Sequence, residues 1–214
     1  MDWFTSHLDD VWRLLVIHAY LAGLPLVLGL LVALPLGWLA RRFSWAYPPL
    51  IIGTGLLYTL PSLAVFILLP GILHTRILDP VNVLVAMTVY TVALLVRTVA
   101  DGLGAIPEDV RLAANAMGFR PVRRLLGVEL PLAVPVISAG LRVAAVSNVS
   151  IVSVAAIIGV EQLGSLFTDG FNRAFFAPIV TGILACGVLS LFFDVIIVVL
   201  TRLLTPWNRA RAAS

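Results

Sequence analysis

The chain has 214 residues, 61% hydrophobic and 12% charged, and its mean hydropathy is +1.07. Soluble domains run at roughly 45–50% apolar and about 25% charged, so a soluble enzyme, a disordered chain, a coiled coil and a disulfide scaffold are excluded, and a polytopic membrane protein remains. The net charge is +3 and all fourteen basic residues are Arg; they read as topology signals, and no nucleic-acid partner is expected.

A helix crosses ~30 Å of hydrocarbon with about 20 mostly apolar residues. Before the first such stretch, Asp2, Asp9 and Asp10 give the wrong sign for a signal-peptide n-region, so no cleavable leader is expected. Five stretches qualify: 16–40, 50–69, 81–100, 134–160 and 178–200. The first, with Gly23, Gly29 and Gly37, reads as a peripheral helix. Pro25, Pro35, Pro61 and Pro135 each remove a helical hydrogen bond and favour kinks. Pro61, beside Thr59 and Ser62, reads as a kink opening onto a pathway. The fourth stretch is interrupted by Ser147, Asn148, Ser150 and Ser153, where a sixth span could begin; one long tilted helix is the preferred reading. Cys186 has no partner for a disulfide within the chain.

Arg placement sets the orientation. With the N-terminus outside, the inner side receives Arg41, Arg42, Arg111, Arg120, Arg123, Arg124, Arg202, Arg209 and Arg211, and the outer side Arg13, Arg76 and Arg173. That bias places the N-terminus outside and the C-terminus inside. Arg97 and Arg142 fall within spans.

Residues 101–131 form the one long polar loop, on the inner face. Pro107, Glu108 and Asp109 read as a helix start. Gly118 ends that helix as a residue tolerant of the left-handed region does. A second short helix over 121–129 follows, closed by Pro131. The whole reads as a helix–Gly–helix hairpin on the membrane surface.

The fixed positions of this hairpin carry a resemblance. Leu112-Ala113-Ala114, Gly118, Val128 and Leu130-Pro131 match, in spacing, the Glu-Ala-Ala loop of permeases in binding-protein-dependent ABC importers. Leu112 stands where that family has Glu, and Glu108, one turn earlier, offers a carboxylate nearby. The resemblance implies that Glu108, Leu112, Ala113, Ala114, Gly118, Phe119, Arg120, Val128, Leu130 and Pro131 form a coupling surface for a cytoplasmic ATPase. The segment 58–64 (Tyr58-Thr59-Leu60-Pro61-Ser62-Leu63-Ala64), Val96-Arg97-Thr98, Gly140-Leu141-Arg142 and Ala155-Ala156-Ile157-Ile158-Gly159 resemble the osmoprotectant-uptake branch. Glu161 and Gln162 stand where that branch has small residues.

The residues themselves show no Lys-bearing phosphate loop. His7, His18 and His74 lack metal-ligand spacing, so no metal is expected. Polar side chains within spans are candidates for a translocation pathway: Tyr58, Thr59, Pro61, Ser62, Tyr90, Thr91, Ser147 and Asn148, with Thr54, Thr88 and Ser150 beside them. Tyr58 and Tyr90 offer aromatic faces to a quaternary ammonium; the same residue types also glue membrane helices together. Arg142 and Asp194 lie at matching depths, ~12–17 Å from the inner ends of their spans at 1.5 Å per residue, and are expected to pair, because isolated charges there cost at least ~2.5–3.5 kcal/mol each. The pair reads as a static packing element or as a gate.

Together these readings give an all-α integral membrane fold, and the resemblance implies the type I (MetI-like) ABC importer transmembrane domain, as one permease domain over 1–214. The resemblance implies import of compatible solutes such as glycine betaine, choline or carnitine through the bacterial inner membrane. It also implies a second permease (a copy or a relative), ATPase subunits that bind Mg-ATP, and an extracytoplasmic binding protein. This chain would hold no cofactor and would not be an enzyme. The alternatives are import of another small solute such as methionine, or an ATPase-independent channel or structural subunit.

Overall fold

The computed structural model describes residues 2–207, so Arg209 and Arg211, used above for orientation, lie outside the described residues. Among the described residues every regular element is a helix. A short α1 (Asp2–Ser6) leads into α2 (Leu8–Arg42), followed by α3 (Tyr47–Thr59), α4 (Ser62–Leu73) and α5 (Pro80–Gly104). Then come α6 (Glu108–Ala116), α7 (Pro121–Arg124), α8 (Leu130–Val154), α9 (Ser165–Asn172) and α10 (Phe176–Leu204). Four long apolar helical runs can each cross a membrane, and α3 with α4 makes a fifth crossing bent by 102°.

Close approaches fix the relative directions. Gly29 of α2 lies against Thr91 of α5, Gly37 against Val99, and Arg41 against Gly104. Numbers rise together, so α2 and α5 run parallel, and the chain between them must return across the membrane. The bent α3–α4 pair is that return. Gly140 of α8 meets Thr98, and Gly102 meets Val136, so α8 runs antiparallel to α5.

The first helix is therefore not peripheral, as its glycines implied, but the main packing partner of α5. Gly29, Ala33 and Gly37 are spaced by four and form a small-residue stripe that lets two helices approach closely. Ala22 and Ala33 are fully buried, and Leu26, Val96 and Val99 fill the seam. A Cβ at Gly37 would fall 2.6 Å from Val99 Cβ, well inside contact distance.

Of the four prolines expected to kink helices, only Pro61 breaks one. Leu60 (φ −66°, ψ 137°) and Pro61 (φ −62°, ψ 124°) are both extended, the conformation a residue before proline prefers. Helix α2 continues through Pro25 and Pro35, and α8 through Pro135. The fourth crossing does not divide at Ser147–Asn148.

Pro131 also does not end its helix. The backbone is helical from Pro121 to Ile158, with a π turn at Leu125–Glu129 just before the proline. A proline's ring clashes with the carbonyl four residues back and has no N–H to give it. The wider turn there lets α7 run into α8 without a break.

Candidate functional site

At one end of the bundle, α6 and α7 form the hairpin. Helix α6 ends in a paired-bond cap: Gly118 N–H donates to Asn115 O (2.9 Å) and Phe119 N–H to Ala114 O (3.1 Å). That pairing needs a left-handed residue at the turn, and Gly118 has φ +79°. Ala114 is 1% exposed beneath the turn. Its neighbours present an apolar outer surface, with Leu112, Met117, Val122 and Leu126 all exposed. Glu108 opens α6, exposed, and pairs with Arg111 at 3.4 Å. Phe119 is half-buried under the Arg123 guanidinium, 5.3 Å from the ring centre. Arg120 is exposed at the start of α7, while Val128, Leu130 and Pro131 are half-buried at the junction with α8.

Four residues outside the expected set hold this elbow rigid. Arg124 donates from Nε to Glu129 (2.6 Å) and from Nη1 to Asn115 (2.6 Å), joining both arms of the hairpin to the start of α8. Glu129 is itself buried. Arg111 Nη2 also reaches the Leu103 carbonyl at the end of α5, 2.5 Å away. The sequence signal lies in the polar spacing of Asn115, Arg124 and Glu129, but their pairing requires the turn to be closed.

A second candidate surface surrounds the α3–α4 elbow. Tyr90 donates its hydroxyl to the Leu60 carbonyl (2.8 Å), which the broken helix leaves without a helical partner. Tyr90 is ten residues into α5, so the elbow sits ~15 Å from that helix end at 1.5 Å per residue, near mid-membrane. Tyr58 packs edge-on to Tyr90, ring centres 6.1 Å apart, and is 38% exposed. Thr59 and Pro61 are exposed beside it and Ser62 is half-buried.

The remaining expected pathway residues are placed differently. Asn148 Nδ2 donates to Thr91 Oγ1 (3.0 Å) and to the Ala22 carbonyl of α2 (3.1 Å). Thr91 donates to Met87 O at 2.8 Å. Both side chains are buried and hydrogen-bonded across the bundle, so they bind three helices together and do not line an open path. Tyr90, 3% exposed, props the elbow from inside. Ser147 is half-buried on α8, and Ser150 is exposed.

Arg142 of α8 and Asp194 of α10 form a bidentate ion pair, Nε to Oδ1 at 2.5 Å and Nη2 to Oδ2 at 3.0 Å. The pair is open on one side, with 47% of the Arg142 side chain and 25% of the Asp194 side chain exposed. Ala139, Val143, Val146 and Ser150 continue the same exposed strip of α8.

At the other end of the bundle, Arg13 of α2 pairs with Glu161 (2.6 Å). His18 is fully buried between Gln162 Oε1 (2.9 Å) and the Val149 carbonyl (3.0 Å).

A multi-pass bundle with a stiffened elbow projecting from one end, and a broken crossing exposed along its side, is a transport-permease fold. The chain belongs to the family of binding-protein-dependent transport system inner membrane components, whose family model matches residues 26–210. It is a multi-pass permease component of the bacterial inner membrane. It is 33% identical to the osmoprotectant import permease protein OsmW of Salmonella typhimurium, over 88% of this chain and 89% of that one. It is 30% identical to the choline transport system permease protein OpuBB of Bacillus subtilis, over 91% and 88%. Among solved structures it resembles the inward-facing MetNI methionine ABC transporter, with TM-score 0.80 at 18% identity, covering 91% of this chain and 96% of that one. That last likeness establishes the fold alone.

Proposed function

We propose that this chain is the membrane-spanning subunit of an ATP-driven importer for quaternary ammonium osmoprotectants, of the glycine betaine, choline and carnitine type. Two permeases, each a copy or a relative of this chain, enclose the path. An external binding protein delivers the solute at the Arg13–Glu161 end. A cytoplasmic ATPase, which binds Mg-ATP, engages the hairpin end, with the N-terminus outside and the C-terminus inside.

The observation that carries this reading is the elbow at Leu60–Pro61. Irregular backbone at membrane depth is tolerated only inside protein or against a water-filled cavity. Here it is exposed on the chain's surface, with Tyr58 and Thr59 beside it. An aromatic ring attracts a quaternary ammonium by ~0.5–2 kcal/mol through its π face, and such a cation offers no hydrogen-bond donor. The likeness to permeases named for osmoprotectants and choline supports the same solute class. The hairpin's exposed apolar residues, held by Arg124, make a lever that transmits force without bending.

The test is uptake of labelled glycine betaine, choline and methionine into proteoliposomes holding the permease with its own ATPase and binding protein. Uptake of the quaternary ammonium solutes is expected, with Tyr58→Leu slowing it. Transport of methionine alone would overturn the reading.

A further inference from the structure

Arg142 is the one charged residue in α8, and Asp194 the one acid in α10. Counted from the hairpin end, both lie more than ten ångströms into the hydrocarbon, by ~1.5 Å of rise per residue. Their pairing is bidentate, yet neither is enclosed: the open side of the pair faces outward from the chain. A charge pair open to acyl chains would carry a heavy desolvation cost, since charged side chains at that depth face a bundle interior or water. The strip that bears it, from Ala139 through Arg142 to Ser150, therefore faces an aqueous path or the second permease. A pair built only to hold α8 to α10 would be served better by closure. This one keeps the outer flank of the guanidinium accessible.

The chemistry of the pair is complementary to one class of solute. Arg142 offers a planar fork of N–H donors suited to a carboxylate, and Asp194 offers a carboxylate suited to a cation. A molecule carrying both charges can replace each partner of the pair without leaving a bare charge in the membrane. Resting on the osmoprotectant reading above, we propose that Arg142 and Asp194 are an exchangeable ion pair within the translocation path. A zwitterionic solute opens it, the solute's carboxylate passing to Arg142 and its quaternary ammonium to Asp194. When the solute leaves, the pair closes again. No bond is made or broken and no proton moves. With a zwitterion, net charge at the site is zero before, during and after passage. Choline carries the ammonium and no carboxylate, so it uses Asp194 alone.

That asymmetry provides the test. Uptake of glycine betaine, carnitine and choline is measured in proteoliposomes of the complete transporter, at solute concentrations that saturate the binding protein. Arg142→Gln, which keeps N–H donors and removes the charge, is expected to lower betaine and carnitine uptake tenfold or more while choline stays within about twofold. Asp194→Asn is expected to lower all three. A single variant that does not assemble is replaced by the uncharged double variant R142Q/D194N. That variant is expected to assemble, read by its co-purification with the ATPase, and to lose betaine uptake. Equal losses for all three solutes in Arg142→Gln, or wild-type uptake of betaine in the double variant, would overturn the exchange and leave a static pair. A wild-type transporter that moves none of the three overturns the osmoprotectant reading, and the exchange with it.

Discussion

Replacing Gly118 separates a backbone effect from a contact effect, because nothing lies within 4 Å of a Cβ built there. The cost of a side chain is then conformational alone. At φ +79° an L-residue meets the left-handed penalty, which is about 1–2 kcal/mol for Ala and smaller for Asn, whose short polar side chain tolerates that region. A β-branched residue suffers most. An energy of this size shifts a two-state equilibrium about 5–30-fold. The quantity it shifts is the population of hairpins with both cap bonds, Gly118 to Asn115 and Phe119 to Ala114, in place. The transmembrane bundle should hold, so thermal unfolding of the permease should move little. The assay is ATP hydrolysis by the assembled transporter in nanodiscs, with and without solute-loaded binding protein. Stimulation is expected to fall in the order wild type, Gly118→Asn, Gly118→Ala, Gly118→Val. If Gly118→Val couples as well as the wild type, or if Gly118→Asn is worse than Gly118→Ala, the turn geometry is not what the motor requires.

Gly29→Ala and Gly37→Ala each force a Cβ into Thr91 or Val99 and should lower stability by about 1–3 kcal/mol in detergent unfolding, as overpacking does; Gly53→Ala and Gly187→Ala, which meet open space, should be near neutral. Asn148→Ala removes two interhelical bonds, at about 0.6 kcal/mol each and at most ~1.7 kcal/mol, and should lower the melting temperature without altering solute selectivity. Arg124→Ala leaves the buried Glu129 carboxylate unpaired and should weaken coupling far more than Arg123→Ala, read by stimulated ATP hydrolysis. Leu112→Glu places a charge on an exposed site with no clash, so folding should be unchanged while docking to this chain's own ATPase weakens, measured as complex yield on co-purification.

The crossings are legible because each needs some twenty apolar residues, and no other element of this chain has that composition. The hairpin is legible at Gly118 because only a few residues tolerate its backbone angle. Less is readable where two physical roles share one residue type. Thr91 and Asn148 are polar groups inside spans, and polarity alone fits either a water-lined path or a bond between helices. The Ala22 carbonyl decides it, and a main-chain atom leaves no mark in a sequence. Gly29 and Gly37 mislead for a different reason. Glycine lowers helix propensity, which suggests a loosely held helix. Its four-residue spacing with Ala33 is the stronger signal, since in lipid close approach replaces the hydrophobic effect as the force between helices.

The loop after α8 shows how a local oddity is resolved at long range. Glu161 and Gln162 are polar residues following an apolar run, and Gln162 bonds both locally and at long range. Their partners are Arg13 and His18, some 148 and 144 positions away on α2. The Gln162 amide cannot turn over, because Oε1 accepts from Gly164 N–H and Nε2 donates to Ser153 O. His18 therefore meets an acceptor oxygen at each ring nitrogen, Gln162 on one side and Val149 on the other. A neutral imidazole satisfies only one of them, and a doubly protonated ring satisfies both. The buried node thus sets the stabilising bonds of the ring against the cost of charging it in an apolar seam, and it ties α2 to the segment after α8 through side chains far apart in sequence.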